Sequence, residues 1–452
     1  MLKKYSFSYK ISFLFSFIIF VLAFVLFYYM DLQSLTVWTL NVWDTLAETG
    51  NIRAYYEYSA MNLYGLTHAM VGSDILIYLP WAVWNLPIWL LQRFAGLAAI
   101  DHFWMILYSK LFLVAVFVLV LFLSRKIAGL FSPEKEDLHR MLFLSATSFF
   151  TVTSLAYVGQ NDVVVIAPFL MGIYELLKGN KKRFVLWVAI SIAFKPFFVF
   201  SYLAVVLFIE KNLLKDIAYF FGGFSIYVLQ KVLFIGAPAY SESLSYGPTS
   251  GALELMLQAQ LTIPPAGLSL FFLGMGIVWL MAYFCPANSI ESFKNYVIYL
   301  ATAPMIIFFL FTRYESYRPF YLVPLLFLLM MTKPAYKRLN LLLETVATGS
   351  LMYFYLMDDV LFYNPAYMLR LSEEMTTPSI SAWLTSMIPG FGYSAFTAIF
   401  FLAMFLILMI NHPAFHLKNA MLEQEEEVWL IPVRSLLYGL PMLLALLLVI
   451  IY

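Results

Sequence analysis

Cysteine is almost absent from this chain: Cys285 stands alone, so no internal disulfide can form and the redox compartment stays open. Charge is scarce too, with charged residues making up 12% of 452, against about 25% in ordinary soluble domains. A soluble protein of this length needs far more polar surface than that. No G-x-x-x-x-G-K-[ST], G-x-S-x-G or H-E-x-x-H segment occurs, so ATPase, serine-hydrolase and zinc-protease readings lack their carriers. The net charge of +1 designates no partner, and nucleic-acid binding is not expected. Internal repeats and low-complexity tracts are missing as well.

What is present is hydrocarbon. Hydrophobic residues form 63% of the chain, in continuous runs long enough to cross a bilayer as helices. Backbone in lipid must satisfy its own hydrogen bonds, and continuous rather than alternating runs select helices over a barrel. The expected fold is all-α, a single polytopic integral membrane domain. Candidate spans are 11–30, 104–124, 141–157, 162–178, 184–209, 217–235, 267–285, 295–311, 319–332, 339–357, 391–411 and 435–452, about 12–13 transmembrane or half-spanning helices. The basic start MLKKYSFSYK with its apolar run to Met30 reads as an uncleaved first span, since the run is long for a signal core and no A-x-A site follows.

Positive residues concentrate in cytoplasmic loops. Assigning 1–10, 125–140, 178–183, 210–216, 286–294, 332–338 and 411–434 to the inside places 19 of the 27 basic residues there and 5 in the outer loops. The N-terminus is then cytoplasmic and the C-terminus external. This parity leaves 31–103 as one long first outer loop carrying interfacial helices, with Trp81, Trp84 and Trp89 suited to the membrane surface. It also makes 184–209 a half-depth hairpin turning near Lys195-Pro196, because basic loops flank it on both sides.

Several polar residues lack a plain structural reason in such a chain. Gly159-Gln160-Asn161-Asp162 lies between two spans on the outer side. Either Asn161 or Asp162 caps the next helix, or Asp162 is a carboxylate at the rim of an external cavity. Lys110, Lys195 and Lys231 fall inside spans, where a central lysine costs roughly 2.5–3.5 kcal/mol. Lys110 and Lys231 have snorkelling to the headgroups as an alternative. Lys195, set between Ala193-Phe194 and Pro196-Phe197-Phe198, needs an anionic partner or water and is a phosphate-binding candidate. In the short outer loop TRYESYRP, Arg313 and Arg318 beside Tyr317 offer guanidinium forks for a phosphate, or pair with Glu315. The first outer loop supplies Asp31, Asp44 and Asp74 with His68 and Trp43, acidic and aromatic groups that suit a sugar, or else a solvated interfacial helix. His412 and His416 are spaced i,i+4, but Pro413 spoils them as a helical ligand pair.

The stretch 159–215, which opens GQNDVVVIAPFLMGIYELLKGNKKRFVLWVAISIAFKPFFVFSYLAVVLFIEKN, resembles the GT-C glycosyltransferases, closest to their bacterial mannosyltransferase-like branch and its relatives in glycolipid-anchor mannosylation. It has that branch's order of GQ-x-(D), span, basic turn, span with Lys-Pro and second basic turn. TRYESYRPFYLVP resembles the late HERY…P region, with Arg313-Tyr314-Glu315 in place of His-Glu-Arg. The early acid of the first outer loop is missing from Ser34–Trp38, and Tyr-Pro-Pro-Leu is reduced to Ile77-Tyr78-Leu79-Pro80. The resemblance implies inverting sugar transfer from a polyprenyl-phosphate donor to a glycan, lipid or protein acceptor at the outer membrane face. A carboxylate (Asp44, Asp31 or Asp162) acts as general base. Lys195, with Arg313, Arg318, Lys110 and Lys231 behind it, holds the donor phosphate. Gln160, Asn161, Asp74, His68, Trp43 and Tyr317 contact substrate. No cofactor is required by this chemistry, and a divalent cation is the one candidate. Two other classes compete: a secondary transporter or lipid flippase, and a catalytically inactive assembly subunit on the same fold.

Overall fold

A computed structural model describes residues 2–27, 30–63, 71–131, 133–245, 252–263, 266–286, 288–312, 314, 317–356, 378–387, 393–415 and 429–451. Apart from one antiparallel hairpin pairing Gln260–Ile263 with Ala266–Ser269, the described elements are helices. In chain order they are α1 (Leu2–Leu26), α2 (Met30–Thr49), α3 (Tyr55–Met61), α4 (Leu79–Ala95), α5 (Phe103–Gly129), α6 (Lys135–Ala146) and α7 (Phe149–Val152), which runs into a π-helical turn at Thr153–Val158. Then come α8 (Asp162–Leu177), α9 (Lys181–Phe194), α10 (Val199–Ile209), α11 (Leu213–Phe234), α12 (Tyr240–Ser245), α13 (Ala252–Leu257) and α14 (Leu270–Phe284). The last are α15 (Ile290–Phe311), α16 (Val323–Met331), α17 (Lys337–Leu356), α18 (Ile380–Met387), α19 (Tyr393–Ile410) and α20 (Leu430–Ile451).

Among the described residues, five stretches are long and apolar enough to cross a membrane: Ser8–Leu26, Phe103–Gly129, Leu213–Phe234, Ile290–Phe311 and Leu430–Ile451. Two bent pairs raise this to seven, Lys135–Ala146 with Phe149–Val158 at 44° and Arg318–Met331 with Pro334–Tyr353 at 107°. Pro196–Ile209, Leu270–Phe284 and Phe396–Ile410 are apolar but shorter. The gap from the 12–13 expected crossings has a local cause. Prolines and tight turns divide several apolar runs into helices too short to cross alone, since proline removes a backbone donor and clashes with the preceding turn. The exposed faces of the long helices are apolar, as at Phe221, Val228, Leu229 and Val232 of α11, a surface suited to lipid tails.

The helical hairpin expected over 184–209 is present, as α9 and α10 on either side of Lys195-Pro196. Lys181 at the start of α9 donates to Ile209 O at the end of α10 (2.7 Å), and the Phe184 and Tyr202 rings lie 5.5 Å apart. The two arms therefore begin and end together, with Lys195-Pro196 at the apex. A residue before proline is pushed from helical to extended backbone, and Lys195 has φ −154° and ψ 136°. The 14 residues of α9 rise about 21 Å, close to the reach of α8 beside it. Ser191 donates to Val165 O (2.8 Å), so the apex stands level with the start of α8.

Over 30–95, α2 and α4 run side by side against the first turns of α5. Asn85 donates to Thr39 Oγ1 (2.7 Å) and Ser109 Oγ (2.9 Å), tying all three together. Trp81 donates to Ser109 O (3.0 Å) and Trp84 to Tyr108 O (3.0 Å). Val83, Leu90, Leu91 and Phe94 are exposed on α4, an apolar outward stripe at helical spacing that fits a membrane interface.

The bundle core also holds a buried ion pair that the sequence reading did not single out. Arg434 on α20 donates from Nε and Nη2 to the two oxygens of Glu344 on α17 (2.7 and 3.0 Å). Its remaining donors reach Thr147 O and Oγ1 (2.8 and 2.7 Å) and Leu144 O (2.7 Å). All five guanidinium protons are satisfied. The carbonyls it meets lie at the break between α6 and α7, so the arginine completes a helix end where the backbone ladder stops.

Candidate functional site

The site begins with a backbone reversal. The π-helical turn ends at Gly159, whose φ of +73° is the left-handed region glycine adopts without penalty. Gly159 and Gln160 both donate their N–H to Ser154 O (2.9 and 3.0 Å), which closes the turn. A Cβ at Gly159 would meet Leu32 Cδ1 at 3.4 Å, so this turn lies against the first turns of α2. Residues 160–162 are thereby presented to two different elements.

Gln160 faces α2 and donates from Nε2 to Asp31 Oδ2 (2.6 Å). Asn161 makes no side-chain cap hydrogen bond to α8. Its Oδ1 instead accepts from Lys195 Nζ (2.7 Å). Asp162, only 1% exposed, accepts at Oδ1 from both Lys195 (2.7 Å) and Tyr321 Oη (2.9 Å). Asn161 is thus used across the bundle rather than as a helix cap. Asp162 also sits in the first turn of α8, where the helix dipole favours a negative charge.

Tyr321 and Arg318 belong to a short 3-10 helix, Arg318–Leu322, that leads into α16. The Tyr321 ring packs 4.8 Å from Phe197 and 5.6 Å from Phe198, next to the hairpin apex. The Arg318 guanidinium lies 5.7 Å over the Phe197 ring and 5.9 Å over Tyr317, within electrostatic range of Asp162. Tyr317 itself is buried. Tyr321 was missed by the sequence reading because a tyrosine in an apolar run carries no signal by itself. The one available hint was its place three residues after Arg318, in a cation-Pro-aromatic-aromatic string like that at Lys195.

Asp74 lies in a neighbouring cluster. Lys231 on α11 donates to Asp74 Oδ1 (3.0 Å) and lies 2.8 Å from its Oδ2, while Tyr240 Oη donates to Oδ1 (2.9 Å). Lys231 therefore neither snorkels alone nor stands with Lys195; it anchors the segment at Asp74 to the C-terminal end of α11. Tyr78 lies between the two clusters. Burial pushes its phenol well above the usual tyrosine range, hydrogen bonding to Ser73 opposes that, and the nearby Asp74 and Asp31 charges reinforce it.

Two candidates stand apart. Asp44 accepts from Trp89 Nε1 (2.9 Å), and Trp43 donates to Ala82 O (2.7 Å), so both are engaged between α2 and α4. Asp44 follows Asp31 by thirteen residues on one helix, a separation of about 20 Å along its axis. Of the three candidate bases, Asp162 meets Lys195 directly, Asp31 is linked to that segment through Gln160, and Asp44 is engaged by Trp89 farther along α2. Lys110 is 1% exposed and does not snorkel. Its ammonium donates to Phe24 O (2.9 Å), Phe27 O (3.3 Å) and Ala156 O (2.5 Å). These carbonyls close the end of α1 and the π-helical turn, which gives Lys110 a structural role in place of a phosphate. Arg313 and His68 lie outside the described residues. Among the described residues no group of three or more His, Cys, Asp or Glu is placed to hold a metal ion.

A buried acid, two cations and a tyrosine gather beside the Lys195-Pro196 turn of a helical protein that has, among its described residues, five helices long and apolar enough to cross a membrane. No protein-family model matches the chain, and no curated protein is significantly similar to it.

Proposed function

We propose that this chain is a membrane glycosyltransferase that moves a sugar, with inversion, from a polyprenyl-phosphate donor to a hydroxyl-bearing acceptor on the outer face of the membrane. The observation that carries the reading is the junction at 160–162. Three consecutive residues link a carboxylate, Asp31, to an ammonium, Lys195, with Arg318 beside it. A displacement at an anomeric carbon needs those two functions a few ångströms apart.

Asp31 takes the proton of the acceptor hydroxyl as its oxygen bonds to the anomeric carbon. The bond from that carbon to the phosphate oxygen breaks, and its electron pair leaves with the lipid phosphate. Lys195 and Arg318 face the charge that develops there, in an apolar setting that strengthens the interaction. Gln160 orients the base. Asp162 and Asn161 hold the ammonium in place, and Tyr321 fixes Asp162. The concentration of positive residues at 178–183 and 210–216 favours a cytoplasmic side for the free ends of the two arms and an outer side for the apex.

The test is transfer from polyprenyl-phosphate sugars in membranes holding wild type, Asp31→Asn or Asp44→Asn. Loss in the first variant alone supports the reading; equal activity in wild type and Asp31→Asn removes it.

A second reading has its own support. KPFF at 195–198 and RPFY at 318–321 are two proline-broken segments opening α10 and α16, one in each half of the chain. Paired broken helices also occur in secondary transporters. Uptake of a charged solute into sealed vesicles, without chemical change, favours that alternative.

A further inference from the structure

The two broken segments repeat one string, cation-Pro-aromatic-aromatic, and the structure sets them against each other. Each opens with proline at the start of a 3-10 helix and continues into an α-helix. Their rings pack together, Phe197 tilted against Tyr321 and Phe198 edge-on to it, and Asp162 joins them by accepting from Lys195 and Tyr321. Two helix N-termini and two cations thus converge, an arrangement that favours an anion.

Asp162 narrows which anion. Its Oδ1 accepts twice, while its Oδ2 is buried without a hydrogen-bond partner. Buried carboxylate oxygens are normally hydrogen-bonded, so Oδ2 calls for a donor. A carboxylate repels an anion unless that anion brings a proton of its own. Phosphate and its monoesters carry one near neutrality, with a pKa of about 6 for the monoester; sulfate carries none.

We propose that the paired turns form a site for a protonated phosphate, in which Lys195 and Arg318 face the negative oxygens and Asp162 Oδ2 accepts the P–OH hydrogen. The inference deepens the transferase reading, because the lipid monophosphate released by transfer has this chemistry. A free phosphate shares it.

The test uses the full chain in detergent micelles at pH 6, with inorganic phosphate, sulfate and geranyl monophosphate as titrants in calorimetry. Wild type is expected to bind phosphate at least about tenfold tighter than sulfate, the cost of one unpaired buried hydrogen-bonding group. Asp162→Asn offers an N–H in place of a bare oxygen and should bring the two anions to within about threefold. Arg318→Gln should weaken both by about tenfold. Geranyl monophosphate binding tighter than inorganic phosphate assigns the site to a lipid headgroup, and equal affinity assigns it to free phosphate. Equal binding of phosphate and sulfate by wild type, or binding of neither phosphate probe, overturns the proposal without recourse to any variant. Phosphate selectivity without sugar transfer leaves this site standing and removes the transferase. Transfer without the selectivity does the reverse.

Discussion

Gln160 donates to Asp31 at 2.6 Å, so the acid in the first turn of α2 is tied to the segment that meets Lys195 on its other side. If Asp31 is the base and Gln160 its orienting partner, the two substitutions differ in size. Asp31→Asn should lower sugar transfer by about 10²–10⁴-fold. Gln160→Ala should lower it less, mainly in kcat, because the carboxylate survives without its hydrogen bond. Initial rates over a range of acceptor concentrations separate the two effects. A larger loss in Gln160→Ala than in Asp31→Asn contradicts the assignment.

Asp44 tests the geometry from the opposite direction. It is engaged by Trp89 about 20 Å along α2 from Asp31. Asp44→Asn should leave transfer within about twofold and shift thermal stability slightly, since the hydrogen bond from Trp89, of about 1 kcal/mol, is weakened rather than lost. A collapse of activity with an unchanged melting temperature argues for a second acidic site in the loop.

Glu344 and Arg434 form a fully buried bidentate pair. Removing one partner of such a pair costs about 3–5 kcal/mol because the other is left as an uncompensated charge. Arg434→Met should therefore unfold at much lower temperature in detergent. Arg434→Met combined with Glu344→Leu should recover much of the loss. If the double variant is no more stable than Arg434→Met, the pair does not act as a unit.

Lys110 supplies a contrast with Lys195. Its three acceptors are main-chain carbonyls, and Lys110→Met leaves them without that donor at a cost of about 1–3 kcal/mol. The variant should lose stability and keep phosphate affinity, measured by calorimetry on the folded fraction. A selective loss of affinity at unchanged stability restores Lys110 to the ligand site.

His412 stands just beyond α19, with its ring edge-on to Tyr299 at 4.8 Å and Nδ1 accepting from Ala414 N (3.2 Å). Burial, and then the Lys333 charge, hold its pKa below the ordinary histidine value. The folded state thus binds fewer protons than the unfolded one. The stability this confers is complete above pH about 6.5 and is lost as pH falls from there through the folded pKa. Melting temperature against pH should slope downward on the acid side in wild type and more gently in His412→Phe. Identical slopes assign the acid sensitivity to other groups.

The sequence alone determined that this chain is helical, apolar on its faces and broken at Lys195-Pro196. Those properties are local: a run of hydrophobic residues, a proline without its N–H and a glycine at positive φ act whatever surrounds them. It also showed which polar residues lacked a local reason, and Gln160, Asn161, Asp162 and Lys195 were among them. Only the tertiary structure decided how they combine. Asp31 and Asp44 read alike in one dimension, and helix α2 separates them by its length. Lys110 and Lys195 read alike as lysines in apolar runs, yet one meets carbonyls at helix ends and the other a carboxylate. Tyr321 and the Glu344–Arg434 pair join elements 159 and 90 residues apart. No local pattern encodes such a contact, because the energy that creates it comes from burying both partners together.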